Sequence, residues 1–224
     1  MHREIGPELR RVRESQKQSL RAVASAVGVS ASLLSQVETG KTQPSVGTLF
    51  ALVNHLGMSL DRLMTTHPTD AEGRTEGPEG HLASAPPRPS HYPAHSPVQR
   101  RRDNPTIELE NGVTWERLAA HHGAVVDPLI VTYSPGATST AEGKMMRHDA
   151  VEYGLVLEGT FTLKIDFDTY VLESGDSFCF EGSRPHLFSN QGDVPARGIW
   201  FVLGDTNNSL QGVRGRAPAT SERP

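Results

Sequence analysis

The N-terminal part of the chain is organised around residues 19–41, SLRAVASAVGVSASLLSQVETGK. Ser19 and Ser30 stand where helix N-caps belong, and Gly28 and Gly40 lie where helices should end. On each side of Gly28, apolar residues recur three and four positions apart, as they do on the buried face of an amphipathic helix. The stretch therefore predicts two short helices joined by a tight turn.

The same apolar periodicity continues outward from this pair of helices. It occurs between residues 5 and 12 and again between residues 49 and 63, where Ser45 and Gly57 mark further helix ends. The pattern predicts five short helices within residues 1–66. The second and third of them form a helix-turn-helix.

The character of the sequence changes after this helical region. Half of the sixteen prolines lie between Pro68 and Pro105, in a stretch with almost no bulky apolar residue that could build a core. Residues 67–102 are therefore interpreted as a flexible, proline-rich linker. Residues 103–206 contain short β-rich runs broken by Gly, Pro, Asp and Asn, which predict an antiparallel barrel or sandwich. Residues 207–224 are interpreted as a disordered tail.

The net charge of −4 conceals a difference between the two ends of the chain. Residues 1–67 carry 8 basic and 5 acidic side chains, whereas residues 103–224 carry 9 basic and 17 acidic ones. No run of apolar residues is long enough to span a membrane and no secretory leader is present, so a cytoplasmic location is expected. The single cysteine, Cys179, cannot form an internal disulfide.

Residues 5–64 resemble the lambda-repressor-like (XRE) family of helix-turn-helix DNA-binding domains. The motifs that carry the resemblance are SLRAVA at residues 19–24 and SASLLSQVETGK at residues 30–41. The resemblance implies a transcriptional regulator that binds a double-stranded DNA operator. It also implies a homodimer, because one helix-turn-helix covers only half of a two-fold operator.

The resemblance also implies which residues contact DNA. The third helix would be the recognition helix, with an exposed face at its start that enters the major groove: Ser30, Ala31, Ser32, Ser35 and Gln36. Phosphate contacts would come from the start of the second helix and from the end of the recognition helix: Ser19, Leu20, Arg21 and Lys41. Gln36 is suited to a bidentate contact with adenine. The family often pairs an arginine of the first helix with a glutamate that ends the recognition helix, here Arg13 and Glu38, so a structural ion pair is expected.

A second group of polar residues lies in the β-rich region. Residues separated by two or four positions share one face of a strand, so Met146, His148 and Glu152 point the same way if this stretch is extended. His186 follows a predicted strand at residues 177–180, and a neighbouring strand could bring it alongside. Two imidazoles and a carboxylate can bind Fe, Zn, Mn or Ni.

These residues resemble the two motifs of the cupin family, as His148-x3-Glu152-x6-Gly159 and Gly175-x5-Glu181-x-Ser183-x2-His186-x3-Asn190. The resemblance implies an all-β cupin barrel (a double-stranded β-helix, or jelly roll) behind an all-α, five-helix head, hence an α+β multidomain chain. Met146 stands where the family has its first metal histidine, and methionine is a weak ligand. Two interpretations stay open: one divalent transition metal bound by His148, Glu152 and His186, or a metal-free pocket in which these groups bind an organic effector.

The favoured function is a sequence-specific transcriptional regulator, not an enzyme, whose cupin domain senses a small-molecule effector and forms the dimer. The alternative is a mononuclear Fe(II) oxidoreductase resembling hydroxypropylphosphonate epoxidase, which also joins a repressor-like helical domain to a cupin. The proline-rich linker disfavours this alternative, because a flexible linker is expected to hold the helices too loosely to close an active site. For the same reason, rigid transmission from barrel to helices is not expected.

Overall fold

A computed structural model describes residues 4–58, 60–64, 98–119, 126–140 and 143–204. Within them, five helices are followed by nine strands. The helices are α1 Gly6–Ser15, α2 Leu20–Val27, α3 Ala31–Glu38, α4 Val46–Leu56 and α5 Leu60–Met64. We call the helical part, residues 4–64, the head, and the β-rich part, residues 98–204, the barrel. The tail and most of the predicted linker lie outside the described residues.

Three helices of the head begin at the predicted serine N-caps. The hydroxyl oxygens of Ser19, Ser30 and Ser45 accept hydrogen bonds from the backbone N–H groups three residues on, at 3.1, 3.0 and 3.2 Å. α2 ends at Gly28, whose φ of 75° is a left-handed conformation that glycine adopts without strain. The chain turns by 111° between α2 and α3, which is the geometry of a helix-turn-helix.

The apolar core of the head forms where α1, α2, α3 and α4 contact one another, and it is continuous with the core of the barrel. The most completely buried large side chains of the head are Ile5, Leu9, Leu34, Leu49, Leu52, Leu63 and Met64. These residues lie at the helical spacing read from the sequence. Among the described residues, no single helix is long and apolar enough to cross a membrane. α2 and α3 together meet the requirement for length and apolar composition, but they are bent by 111° relative to each other.

The barrel consists of two antiparallel sheets. Its strands are β1 Thr106–Leu109, β2 Val113–Arg117, β3 Val126–Tyr133, β4 Ala150–Glu158, β5 Phe161–Ile165, β6 Asp168–Leu172, β7 Ser177–Glu181, β8 His186–Ser189 and β9 Ala196–Gly204. The larger sheet has the order β1-β2-β3-β9-β4-β7, and the smaller has the order β6-β5-β8. Aromatic rings fill the space between the sheets; Trp200 lies 5.2 Å from Phe161 and 5.5 Å from Phe188 between ring centroids.

Residues 98–102, which the sequence assigns to the linker, are attached to the barrel. Arg101–Asp103 form a turn of 3-10 helix, and the side-chain amide of Gln99 donates to the Asn104 side-chain oxygen at 2.7 Å and to the Arg117 carbonyl at 2.9 Å. Residues 98–102 therefore belong to the barrel rather than to the linker, although they come before β1.

The head packs directly on the barrel. The backbone N–H of Gly47, in the first turn of α4, donates to the carbonyl of Ser139 at 3.1 Å, and the N–H of Glu110 donates to the carbonyl of Pro44 at 3.0 Å. Phe50, one turn after Gly47, inserts its ring among barrel residues. The expectation that the helices would be held too loosely to close the barrel was wrong: apolar packing and backbone hydrogen bonds join the two parts, whatever the composition of the chain between them.

Candidate functional site

The start of α3 presents a polar surface to solvent. Ser32 and Gln36 are exposed, while Ala31 and Ser35 are partly covered. Leu34 and Val37, on the opposite side of α3, are buried in the head. The docked barrel therefore leaves accessible the face that was predicted to read DNA bases.

The residues predicted to contact phosphate lie at the start of α2 and just after the end of α3. Arg21 is exposed in the first turn of α2, and Lys41 is exposed just after α3. Ser19 and Ser30 cap α2 and α3 through their side chains, and Leu20 is the first residue of α2. Backbone N–H groups at a helix start favour anions. Arg21 and Lys41 are therefore accessible to a charged partner, and the starts of α2 and α3 are capped by side chains that leave further backbone N–H groups available.

Arg13 and Glu38 form a buried, bidentate ion pair between α1 and the last residue of α3. Arg13 Nε donates to Glu38 Oε1 at 2.6 Å, and Arg13 Nη2 donates to Glu38 Oε2 at 2.8 Å. Arg13 Nη1 also donates to the carbonyl of Gln18 at 3.0 Å. The hydrogen bonds from the guanidinium to Glu38 raise the pKa of Arg13 above its usual value. The pair fixes the C-terminal end of α3 against α1.

Three titratable side chains meet inside the barrel: His148, Glu152 and His186, which we call the cluster. Their ligand atoms lie within 4.8 Å of one another, and all three residues are buried. His148 Nε2 donates to Glu152 Oε1 at 2.6 Å, and His186 Nε2 lies 3.5 Å from the same oxygen. Met146 is also buried, and its backbone exchanges two hydrogen bonds with that of His186. All four predicted pocket residues are therefore close together.

The protonation pattern of His186 leaves a lone pair facing a carboxylate. Because a carbonyl oxygen only accepts, the 2.8 Å contact between His186 Nδ1 and the Arg184 carbonyl places a proton on Nδ1. In a neutral ring, Nε2 is then an acceptor, and among the described residues it has no hydrogen-bond partner. Two acceptors facing each other repel unless a cation lies between them. Metal-binding histidines are commonly oriented in this way, with the second nitrogen donating to a carbonyl.

Glu152 is charged in this environment. Complete burial by itself raises the pKa of the carboxyl group, but the neighbouring imidazoles, above all His148 through its hydrogen bond, outweigh that effect and lower the pKa to about 2. The charged carboxylate and the two imidazoles form a donor set that fits a divalent transition metal.

The cluster borders a small, mostly apolar cavity of about 20 Å³, which is room for about one water molecule. Glu152 is its charged lining residue, and Met146, Tyr133 and Trp200 also line it. Most of the apolar lining was not predicted from the sequence; it includes Phe50 from the head and Trp115 from β2.

Comparisons with known proteins agree with this architecture. Residues 4–64 match the family model of a helix-turn-helix domain, and residues 129–202 match that of the cupin domain. The chain is a helix-turn-helix regulator with a cupin domain. The predicted fold class, a helical head followed by a cupin barrel, is thereby confirmed.

Transcriptional regulators are among the proteins that match this chain over most of its length. The HTH-type transcriptional regulator PuuR of Escherichia coli is 28% identical over 189 residues, which cover 83% of this chain and 86% of PuuR. The crystal structure of an HTH_3 family transcriptional regulator from Vibrio cholerae superimposes with a TM-score of 0.60 at 19% identity, covering 89% of this chain and 94% of that one. Hydroxypropylphosphonic acid epoxidase from S. wedmorenis reaches a TM-score of only 0.40 at 20% identity, covering 88% and 96%.

Proposed function

We propose that the regulator is a sequence-specific, homodimeric transcription factor of the cytoplasm, which binds a double-stranded DNA operator through α3. The observation that carries the proposal is the exposed polar start of α3, with its opposite side buried in the head and its end held by the Arg13–Glu38 pair. A recognition helix held rigidly in this way can place Gln36 against base edges in the major groove.

Selection of bound fragments from random double-stranded DNA tests this function. The wild type is compared with Gln36→Ala and with Ser25→Ala, an exposed position of α2 that is not among the predicted DNA contacts. We expect the wild type and Ser25→Ala to enrich the same two-fold-symmetric motif, and Gln36→Ala to lose preference at one base pair of each half-site. Failure of the wild type to enrich any motif would contradict sequence-specific binding.

For the dimer, the outer face of the larger sheet is the surface we favour. Tyr153, Leu155 and Phe201 are 46%, 40% and 42% exposed, and Tyr153 is the direct cross-strand partner of both Phe201 and Cys179. Contiguous exposed apolar groups of this kind are typical of protein interfaces. A second copy of the chain suits this face, because a two-fold operator needs two heads and a copy brings an identical patch.

Analytical ultracentrifugation tests this interface. Tyr153→Lys is expected to shift the chain towards monomer, because a charge would be buried at the contact. Thr169→Lys, at an exposed position of β6 in the other sheet, is the matched control and should leave the dimer intact. A Tyr153→Lys variant that remains fully dimeric would place the interface elsewhere.

In the barrel, we propose that the cluster binds one divalent transition metal. The support is the lone pair of His186 Nε2, which faces the Glu152 carboxylate without a partner among the described residues. His148, Glu152 and His186 would hold the ion, and Met146 beside them would leave one side of it open to a further ligand. A bound ion would supply positive charge at a site that is otherwise anionic.

Metal analysis and calorimetry with Zn²⁺, Fe²⁺, Mn²⁺ and Ni²⁺ test the metal site. Glu152→Gln removes the shared carboxylate and is expected to abolish stoichiometric binding. The control is Asp149→Asn, which makes the same chemical change at an exposed neighbouring residue. If neither the wild type nor Asp149→Asn binds any of the four ions, the cluster is a metal-free polar pocket.

A second candidate function, a mononuclear Fe(II) oxidoreductase, is favoured by the closure of the barrel. The head lines a small, partly enclosed apolar cavity next to two histidines and a glutamate, and apolar sites with little room for water protect reactive chemistry. Oxygen uptake by the Fe²⁺-loaded protein, beyond that of Glu152→Gln, would support this function. Operator binding without oxygen uptake would support the regulator and contradict the oxidoreductase.

A further inference from the structure

Phe50 is a residue of the head that lies inside the barrel. Its ring stacks on the imidazole of His148, with centroids 4.1 Å apart and planes 13° apart. On another side, its ring contacts Trp115 at 5.5 Å in an edge-to-face arrangement. Only 5% of Phe50 is exposed. A flat apolar group from one domain thus fills a flat, aromatic-walled site in the other, directly beside the cluster.

With Phe50 in place, the cavity beside the cluster, as the described residues line it, has no room for an organic ligand. The remaining cavity of about 20 Å³ is the size of one water molecule, whereas pockets for small organic molecules are about 300–1,000 Å³. Val46, from the same helix, also lines the cavity. A molecule that reaches Glu152 from the head side must therefore displace Phe50.

We propose that the ring of Phe50 is an internal occupant of the effector site, and that the effector is a small molecule with a flat apolar group that competes with this ring. The apolar wall behind the ring, formed by Leu129, Val131 and Val202, suits a hydrocarbon body. Glu152 and the metal or imidazoles beside it suit a polar end. This inference rests on the proposed regulator and on the expectation from the sequence that its cupin domain senses a small-molecule effector.

Displacement of Phe50 would undock the head. Phe50 belongs to α4, whose first turn is hydrogen-bonded to the barrel through Gly47. A Cβ atom at position 47 would lie 2.9 Å from Thr140 Cγ2 and 3.3 Å from Met146 Cβ, so α4 fits the barrel only at very close range. A ligand that pushes Phe50 outward therefore breaks these close contacts.

Undocking changes how a dimer presents its two recognition helices. In the docked state, α3 is exposed and the position of the head is fixed by the barrel, so two heads would be held at one spacing. Half-site spacing on an operator is a geometric requirement. The effector is therefore expected to lower operator affinity by releasing the heads from that spacing.

The site is tested with toluene, a neutral flat probe, measured by calorimetry on the full chain. Phe50→Ala leaves a ring-sized space and is expected to bind toluene at least about tenfold more tightly than the wild type, as engineered apolar cavities do. Phe50→Leu refills much of the space without a flat group and should bind no better than the wild type. Equal toluene binding by wild type and Phe50→Ala would overturn the proposal.

Head docking is tested by electron–electron distance measurement between spin labels at Ser25→Cys on α2 and Thr169→Cys on β6, in a Cys179→Ser background. Gly47→Val crowds the contact between α4 and the barrel, so it is expected to broaden the narrow distribution of distances between the two labels. Toluene at saturating concentration is expected to broaden this distribution as well. Asn54→Val, at an exposed position of α4, is the matched control and should leave it narrow.

A narrow distribution in Gly47→Val would overturn the coupling of the site to the head. Neither measurement uses DNA or metal. Failure of the operator selection would contradict the proposed regulator. Failure of the toluene and distance measurements would contradict only the proposal that Phe50 occupies the effector site.

Discussion

Replacing Glu38 by alanine is expected to destabilise the head strongly. The side chains of Glu38 and Arg13 are 4% and 10% exposed, and they share two hydrogen bonds of 2.6 and 2.8 Å. Removing one partner of a buried pair costs about 3–5 kcal/mol, because the other charge stays buried without compensation. Arg13 would keep its bond to the Gln18 carbonyl, so we expect the lower end, about 3 kcal/mol.

For a domain of this size, that loss lowers the melting temperature of the head by about 12 to 24 °C. Circular dichroism during urea and thermal unfolding measures it on the full chain, with the β-rich transition as an internal reference. The double variant Arg13→Met with Glu38→Leu removes both charges together and should unfold close to the wild type. Glu14→Ala, which removes an exposed contact of Arg13, should leave the transition unchanged.

The reasoning would be refuted by a Glu38→Ala head that unfolds within about 1 kcal/mol of the wild type. In that case, the pair would not hold α3 against α1. The same variant should also weaken operator binding under conditions where it is still folded, because the end of the recognition helix is no longer fixed.

Three other changes have defined outcomes. Gly182→Ala should weaken Zn²⁺ binding by about tenfold or more in calorimetry, since its Cβ would lie 2.4 Å from Cε1 of His148 and displace the ring. Ser30→Ala removes the N-cap of α3 and should cost about 1 kcal/mol in urea unfolding, with Ser25→Ala as the neutral control. Lys41→Ala should reduce the slope of log affinity against log salt concentration by about one, as expected for one lost phosphate contact; an unchanged slope would exclude that contact.

The helices of the head were predictable because their signals are local. Serine caps, glycine ends and apolar spacing all lie within a few residues of each helix, and the structure places α1 to α5 accordingly. The strands were less predictable from the local sequence. β3 contains Asp127 and Pro128 near its start, and both residue types are typical of turns. Pro128 nevertheless pairs in register with Phe201. Pairing with neighbouring strands, which are distant in sequence, outweighed the local signal.

The three side chains of the cluster lie close together, as predicted, but not for the reason that the sequence suggested. A continuous strand was expected to align His148 with Glu152, but β4 begins only at Ala150. His148 lies before the strand and is held because its backbone N–H donates to the Gly182 carbonyl at 2.9 Å. Period-two spacing was therefore a sound guide to proximity, although a tertiary hydrogen bond does the positioning.

The contact between head and barrel was not predictable by the same means. It joins residues about a hundred positions apart, across a stretch whose composition predicts no fixed geometry. Two signals were nevertheless present: Phe50 is the only Phe, Tyr or Trp within residues 1–66, and Gly47 places a glycine inside a helix one turn before it. Glycine destabilises the interior of a helix, so a glycine at such a position commonly allows close contact with a neighbouring residue.

Both tryptophans of the chain, Trp115 and Trp200, line the cavity beneath Phe50, and the head has none. The tryptophan fluorescence of the unlabelled protein therefore originates entirely from the walls of this cavity. Indole emission moves to longer wavelength when water reaches the ring, and it is quenched when metals or ligands bind close by. A simple emission spectrum thus distinguishes a sealed barrel from an open one, so compound libraries can be screened against the native regulator without a dye, a label or knowledge of its operator.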